Sequence, residues 1–326
     1  MESQKIKWGI IGCGDVTELK SGQAYNKIAD SSLVAVMRRD AEKAADYARR
    51  HNVGKWYSDA ELLMNDPEVN AVSIATPPSS HLDYAKRAIA KGLNVYVEKP
   101  VTRNAAEAEA MAEAVRESGA KLTVAHYRRA LPMFLYVKSL LENNAIGDVR
   151  TVQIRMWQNR EPKVPTYPGT NWRLDPEVSG GGYFHDLAPH QLDLMLYFFG
   201  EPEHYNGYSL NQANSSPADD HVCGLIVFKN KVIVNGSWSF NVAESEAVDT
   251  CEIVGTKGKI TFPFFGKFVT LKTEAGEETT DFTHPMHIQQ PMIEKIVAFF
   301  KDEGPNPCTI DEAVVLMKII DSFTLK

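Results

Sequence analysis

Cysteine is sparse in this sequence of 326 residues: Cys13, Cys223, Cys251 and Cys308 lie far apart, with no Cys-x-x-Cys spacing. That excludes a disulfide framework and a cysteine-ligated zinc, and it fits free thiols in a reducing compartment. Long apolar runs are also missing. The stretch from Leu192 to Phe199 is much too short to cross a bilayer, and the chain passes through Glu2 and Lys5 straight into a strand-like run. Neither a membrane span nor a signal peptide is expected. Positive charge is in deficit, with 35 Lys and Arg against 42 Asp and Glu, a formal charge of −7, and no basic stripe. Nucleic acid and anionic membranes are therefore excluded as main partners. Internal repeats, low-complexity tracts and flexible linkers are absent as well. What remains is the profile of a two-domain cytoplasmic protein that handles a small molecule.

From Lys5 to Ala125 apolar runs alternate with helical patterns. Strands are expected near 6–11, 32–37, 71–75, 93–97 and 121–125, and helices near 15–29, 40–51, 79–91 and 104–118; a short strand at 55–57 and a helical turn at 59–64 fill one crossover. This rhythm predicts right-handed βαβ units and an α/β fold with a doubly wound parallel sheet over residues 1–125. After about residue 130 the texture changes. A helix from Pro132 to Asn143 precedes a half-buried strand in which Val152, Ile154 and Met156 alternate with Thr151, Gln153 and Arg155. Further strand-like runs near 204–211, 219–229, 231–240, 247–254, 258–263 and 266–273 predict a large antiparallel sheet in a second domain, 126–326. Helices near 289–302 and 310–324 close the chain, packed either on that sheet or back on the first domain.

In an open parallel sheet, ligands sit outside the carboxyl ends of the strands, so the loops there carry the chemistry. The first strand runs into Gly12, Cys13, Gly14, Asp15 and Val16, where glycines would let a pyrophosphate approach the backbone and the next helix would point its N-terminus at it. Thr17 occupies the third glycine position of that fingerprint. The second strand ends in Arg38-Arg39-Asp40 instead of the acidic residue that would accept the ribose hydroxyls of NAD. Guanidinium forks suit a 2′-phosphate, which favours NADP over NAD; the alternative is a pair of solvated arginines with Asp40 as the N-cap of the next helix. The fourth strand ends in Ala75-Thr76-Pro77, followed by His81, a helix-start residue before it is a catalyst. The fifth ends in Glu98-Lys99-Pro100, charges that need pairing or a use at the end of a buried strand, and the sixth brings Tyr127 to the same rim.

In the second domain Asn171-Trp172-Arg173 precedes Gly180-Gly181-Gly182 and a helix that is apolar on most faces. Against that background Asp186, His190, Asp193 and Tyr197 recur at helical spacing and form one polar stripe. The stripe is either a hydrogen-bonded core network or a working site, in which a histidine flanked by carboxylates exchanges a proton near neutral pH. A divalent metal on Asp-x-x-x-His-x-x-Asp would need a further His/Glu cluster, and none is apparent, so no metal is expected. Trp157, Tyr167 and Trp172 offer faces for sugar C–H groups, or belong to the core.

Gly12-Cys13-Gly14, Ala75-Thr76-Pro77 through His81, Glu98-Lys99-Pro100, Trp172-Arg173, and Gly180-Gly181-Gly182 followed by Asp186-x-x-x-His190-x-x-Asp193 together resemble the glucose–fructose oxidoreductase and inositol dehydrogenase (Gfo/Idh/MocA) family along nearly the whole chain. The resemblance implies a Rossmann domain followed by an α/β domain whose open antiparallel sheet face mediates homo-oligomerisation, as dimer or tetramer. It implies an NADP- or NAD-dependent dehydrogenase or reductase of sugars, cyclitols or related hydroxy compounds. Carried over, it makes Lys99 the lysine between nicotinamide and substrate, Asp186 and His190 the acid–base pair, and Lys99–Pro100 a cis bond. The cofactor contacts expected on this basis are Gly12, Cys13, Gly14, Asp15, Val16, Arg38, Arg39, Thr76, Pro77, His81, Glu98 and Lys99. The substrate contacts are Lys99, Tyr127, Trp172, Arg173, Asp186 and His190. Two rival readings use the same fold: a redox-neutral NAD-dependent glycosidase, and a nicotinamide-binding sensor without turnover.

Overall fold

The computed structural model describes residues 5–159 and 171–324. Tyr167, one of the aromatics singled out above, lies outside the described residues. The chain divides into two compact units, residues 5–128 with 285–314 and residues 129–284 with 315–324.

The first unit is built on a six-stranded parallel sheet. Its strands are β1 (Ile6–Ile11), β2 (Ser31–Met37), β3 (Lys55–Tyr57), β4 (Ala71–Ile74), β5 (Asn94–Val97) and β6 (Leu122–Val124), in the order β3-β2-β1-β4-β5-β6. The order reverses at β1, the switch point where doubly wound sheets take their ligands. Helices α1 (Ala41–Arg50), α2 (Ala60–Met64), α3 (His81–Ala90) and α4 (Ala105–Ser118) are the crossovers. The strands read as near-continuous apolar runs because both faces are covered: Ile10, Ile11, Val36, Val72, Ile74, Val95 and Val97 are buried. Trp8 fills the centre, with Tyr25 at 4.7 Å, Phe300 at 5.6 Å and Tyr96 at 6.3 Å between ring centroids.

The expected helix at 15–29 does not form as one element. A π-helical turn, Thr17–Ser21, and a 3-10 turn, Tyr25–Lys27, replace it. The cause is local. Thr17 Oγ1 donates back to the Gly14 carbonyl at 2.8 Å, while the Thr17 carbonyl accepts from Gly22 N at 3.0 Å and from the buried Tyr47 hydroxyl at 3.1 Å. That five-residue bond widens the turn, and a side chain at Gly22 would lie 2.2 Å from the Tyr47 hydroxyl.

The second unit opens with α5 (Pro132–Glu142) and carries an eight-stranded sheet. Its strands are β7 (Val149–Trp157), β8 (Pro202–Leu210), β9 (His221–Phe228), β10 (Ile233–Ser239), β11 (Val248–Gly255), β12 (Gly258–Phe262), β13 (Phe268–Thr273) and β14 (Gly276–Asp281). The order is β14-β13-β12-β11-β7-β10-β9-β8, antiparallel throughout except for the parallel pair β10 and β7. The expected α/β class, a doubly wound parallel sheet plus a mostly antiparallel one, is what the chain adopts. On one face Val152, Ile154, Met156, Val222, Ile226, Val234 and Trp238 are buried. The short α6 (Pro176–Ser179) leads into the buried α7 (Gly182–Phe199). Of the closing helices, α8 (Gln290–Phe300) belongs to the first unit, while α9 (Ile310–Thr324) begins in the first and ends in the second. Near its end, Phe323 lies where side chains at Gly207 and Gly224 would stand, so both strand glycines make room for it.

Candidate active site

In the first unit, backbone bonds align the carboxyl ends of successive strands. Gly12 N and Cys13 N donate to the Met37 carbonyl at 2.9 and 3.1 Å, Ala75 N to Ile11, Glu98 N to Ile74, and Ala125 N to Val97. Residues 12–14, 38, 75–77, 98–99 and 125–127 thereby come to one edge of the sheet. Gly12 has φ +94°, and a Cβ there would lie 2.7 Å from Thr76 Cγ2 and 2.9 Å from Thr76 N. At Gly14 a Cβ would meet nothing closer than the Gly12 carbonyl oxygen at 3.9 Å, so this backbone faces open space. A tight turn beside an open backbone is what a dinucleotide pyrophosphate requires, and the residues present fit one. Arg38 Nη1 braces the turn by donating to the Cys13 carbonyl at 3.2 Å. Burial pushes the Cys13 thiol up to about 11, against the pull of the Arg38 charge. Asp15 and Arg39 are exposed, and Val16 is half-buried. Asp40 caps α1, its carboxylate accepting from Lys43 N at 3.1 Å.

His81 is fully buried at the start of α3. Nε2 faces the Thr76 carbonyl at 2.7 Å, and Nδ1 faces the carbonyls of Pro100 and Val101, both at 3.1 Å. With both ring nitrogens directed at backbone, His81 ties the Thr76-Pro77 loop to the Lys99–Pro100 loop and offers no nitrogen to a cofactor. Burial holds its pKa below the usual histidine value, against the three carbonyls. The Lys99–Pro100 bond is cis. Lys99 is half-buried, Glu98 and Tyr127 are buried, and Arg128 lies over the Tyr127 ring at 5.5 Å.

In the second unit the glycine run is a helix start. Gly180 (φ 94°) terminates α6 in the left-handed region, and Ser179 Oγ accepts from Gly181 N at 3.2 Å and Gly182 N at 3.1 Å. A side chain at Gly181 would lie 2.2 Å from the His185 ring, so the glycine gives that buried imidazole its place. Between Gly182 and Leu196 every residue of α7 is buried except Asp186 and Leu187. Asp186 is therefore the opening of an otherwise closed helix. Arg173 Nε donates to Asp186 Oδ2 at 3.1 Å, and the Arg173 guanidinium stacks 4.6 Å over Trp172. Asn171 Nδ2 donates to the Tyr183 hydroxyl at 2.9 Å and fixes the 3-10 turn that carries Trp172 and Arg173. One helical turn on, His190 is buried, with Phe265 edge-on at 5.7 Å.

The polar stripe divides. Asp193 is bound by Arg129, through Nε at 3.1 and 3.0 Å and Nη2 at 2.7 Å, and both side chains are buried. Tyr197 lies under Arg129 at 5.4 Å and Lys138 at 4.6 Å. Half of the stripe is thus an ion-paired core network and the other half surrounds the opening at Asp186. Trp157 is tied to the sheet, its Nε1 donating to Ser237 Oγ at 3.0 Å. Two partners escaped sequence reasoning. Arg129 lies 64 residues before its partner Asp193, and Gln289, which donates to Glu98 at 2.6 Å, lies 191 residues away from it.

A dinucleotide cradle at the switch point of a parallel sheet, followed by a unit in which an open antiparallel sheet carries a buried acid–histidine helix, defines a two-unit nicotinamide-dependent oxidoreductase. Residues 6–126 match the model of the oxidoreductase family with an NAD-binding Rossmann fold, and residues 134–261 match the GFO/IDH/MocA C-terminal domain. The chain belongs to the GFO/IDH/MocA family and is an NAD(P)-dependent dehydrogenase or reductase. It is 48% identical over 323 residues to Oxidoreductase P35 of Formosa agariphila, covering 99% of both chains. It is 27% identical over 287 residues to trans-1,2-dihydrobenzene-1,2-diol dehydrogenase of Xenopus laevis, covering 88% of this chain and 83% of that one. Among solved structures, levoglucosan dehydrogenase in complex with NADH and levoglucosan shares its fold, with a TM-score of 0.85 at 23% identity over 98% and 96% of the two chains.

Proposed function

We propose that this protein oxidises a carbinol, or reduces the matching carbonyl, of a sugar, cyclitol or related hydroxy compound, with NADP preferred over NAD. When bound, the nicotinamide coenzyme supplies or accepts the hydride. The chain supplies the rest. His190 takes the hydroxyl proton in oxidation and returns it in reduction, Lys99 stabilises charge developing on the substrate oxygen, and Asp186, held by Arg173, orients the substrate hydroxyl. Trp172 and Tyr127 line the substrate, and Thr76 and Pro77 the cofactor. The observation that carries this reading is the opening of α7 at Asp186, beside the Arg173–Trp172 stack and one turn before His190. A purely structural helix has no need to expose a carboxylate from its otherwise closed middle. The preference for NADP rests on Arg38 and Arg39 at the end of β2, where the nearby carboxylate, Asp40, is engaged as a helix cap.

The protein is read as a cytoplasmic homo-oligomer associating through the open sheet face. Tyr208, Leu210 and Ile233 are exposed there, on the side opposite Val222 and Val234. Light scattering on the purified protein tests that association, and a monomer refutes it. For the reaction, fluorescence titration with NADPH and NADH precedes a panel of sugars and cyclitols followed at the nicotinamide band. NADPH binding with substrate-dependent absorbance change supports the reading. Tight NAD binding with product but no net absorbance change selects the redox-neutral glycosidase instead, and binding without any turnover selects the sensor. His190→Asn is expected to bind coenzyme normally and to lose turnover; unchanged turnover removes His190 from the mechanism.

A further inference from the structure

Glu98 directly follows β5, next to Lys99, and it is buried. Burial pushes its carboxyl above the usual range, opposed first by the Gln289 hydrogen bond and then by the charges of Lys99 and Lys20. Among the described residues two groups hydrogen-bond to it: Gln289 Nε2 to Oε1 at 2.6 Å and Lys99 N to Oε2 at 3.2 Å. Both are N–H donors, so neither can take a proton from Glu98. The Gln289 amide is itself fully buried, and its orientation is fixed because the Tyr96 hydroxyl donates to its Oε1 at 3.0 Å. Tyr96 is held far above the ordinary tyrosine range by burial and stays a donor. The backbone of Gln289 is pinned too: its N–H donates to the Lys20 carbonyl at 3.3 Å, and its carbonyl accepts from Met292 N and Ile293 N at the start of α8. Every link in the chain Tyr96, Gln289, Glu98 thus points a proton toward the carboxylate. The other titratable groups near Glu98 are Lys99, Lys20 and Tyr25.

We propose that Gln289 is a positioning residue for Lys99, acting through Glu98: its buried amide keeps the Glu98 carboxylate ionised and fixed beside the lysine that the proposed reaction uses. The importance of this for turnover rests on the reading of Lys99 given above, but the arrangement can be tested without it. Lys99 is acylated with acetic anhydride in the intact protein across a range of pH, and its rate is measured by peptide mass spectrometry against that of the exposed Lys86. Protonation of Glu98 appears as a step in that ratio.

The isosteric Gln289→Met is expected to move the step up by about one pH unit or more, the effect of losing a charge-assisted hydrogen bond. Glu98→Gln is expected to remove the step, and adding Gln289→Met to it should change nothing further. A step that stays in place in Gln289→Met overturns the proposal. So does a Gln289→Met effect that persists undiminished in the Glu98→Gln background. If Gln289→Met does not fold, Tyr96→Phe releases the amide while keeping the ring, and the same upward movement is expected; an unmoved step there overturns the proposal as well. The readout needs neither substrate nor coenzyme, so its failure is separate from that of the dehydrogenase reading, which a fully active Lys99→Met would sink.

Discussion

His185 should make this fold acid-sensitive in a way that one substitution removes. Its imidazole is buried against Gly181 and Phe184, and burial lowers its pKa from 6.5 to about 4, opposed only by the Gly181 carbonyl. In the unfolded chain the same ring titrates near its ordinary value. Between the two pKa values the unfolded state therefore binds a proton that the folded state refuses, so stability falls as pH drops through that window and is recovered as pH rises. With the folded value at about 4, the loss between about pH 7.5 and 5 is about 2 kcal/mol, growing to about 3 kcal/mol near pH 4. Urea midpoints measured across this range give the slope for the wild-type protein and for His185→Gln, which cannot titrate. Carboxylates elsewhere contribute equally to both, so the difference between the two slopes isolates His185. The variant should lose about 2 kcal/mol less than wild type on going to pH 5. Identical slopes would mean that the ring is solvated or paired in the folded state, and the account of Gly181 as space for a neutral buried imidazole would fail with it.

Gly12→Ala places a Cβ 2.9 Å from the Thr76 amide nitrogen at a φ of +94°, and neither atom is on a flexible side chain that could give way. NADH and NADPH affinity should fall about tenfold or more by fluorescence titration while far-UV circular dichroism is retained. Asp193→Ala takes from the buried Arg129 the carboxylate that binds it and should cost about 3–5 kcal/mol in chemical denaturation. Arg129→Met with Asp193→Leu should recover most of that loss, and a double variant as unstable as the single would show that packing, not charge, is at stake. Cys13, Cys251 and Cys308 are buried, with the thiols of Cys13 and Cys251 pushed up by burial. All three should stay unreacted toward a thiol reagent at neutral pH until the protein unfolds, whereas labelling of Cys13 in the native protein would contradict its environment.

The parts of this fold that were legible in the sequence are those where one local requirement dominates. Strand β1 into Gly12 and Gly14 could be read because few other backbones serve a tight turn with an exposed amide edge. The short strand Lys55–Tyr57 and the closing helix Ile310–Thr324 could be read from punctuation and periodicity. Strand β14 could not: Gly276–Asp281 is polar and largely exposed, so it has no apolar alternation and is a strand only because the hairpin with β13 pairs it. The π turn at Thr17–Ser21 was hidden for a different reason. Its cause is a hydroxyl from Tyr47, thirty residues away, while the local sequence continues to read as an ordinary helix.

Helical spacing grouped Asp186, His190, Asp193 and Tyr197 on one face, yet spacing is blind to what lies opposite that face. The division comes from partners contributed elsewhere in the same unit. Arg129, entering α5, takes Asp193, and Lys138 within α5 covers Tyr197, so that half of the stripe satisfies the rule that buried charges are paired. Arg173, on a turn fixed by Asn171, takes Asp186, but does so in the middle of α7, where Asp186 and Leu187 are not closed over. Pro189 stands between Asp186 and His190 and removes the amide that would bond the His185 carbonyl, loosening the helix beside that opening. The backbone bond lost at Pro189 and the buried His190 thus fall within one turn of the accessible carboxylate. A helix whose task was only to pack against the sheet gains nothing from a proline at that turn, and this is what the opening adds in support of the proposed site.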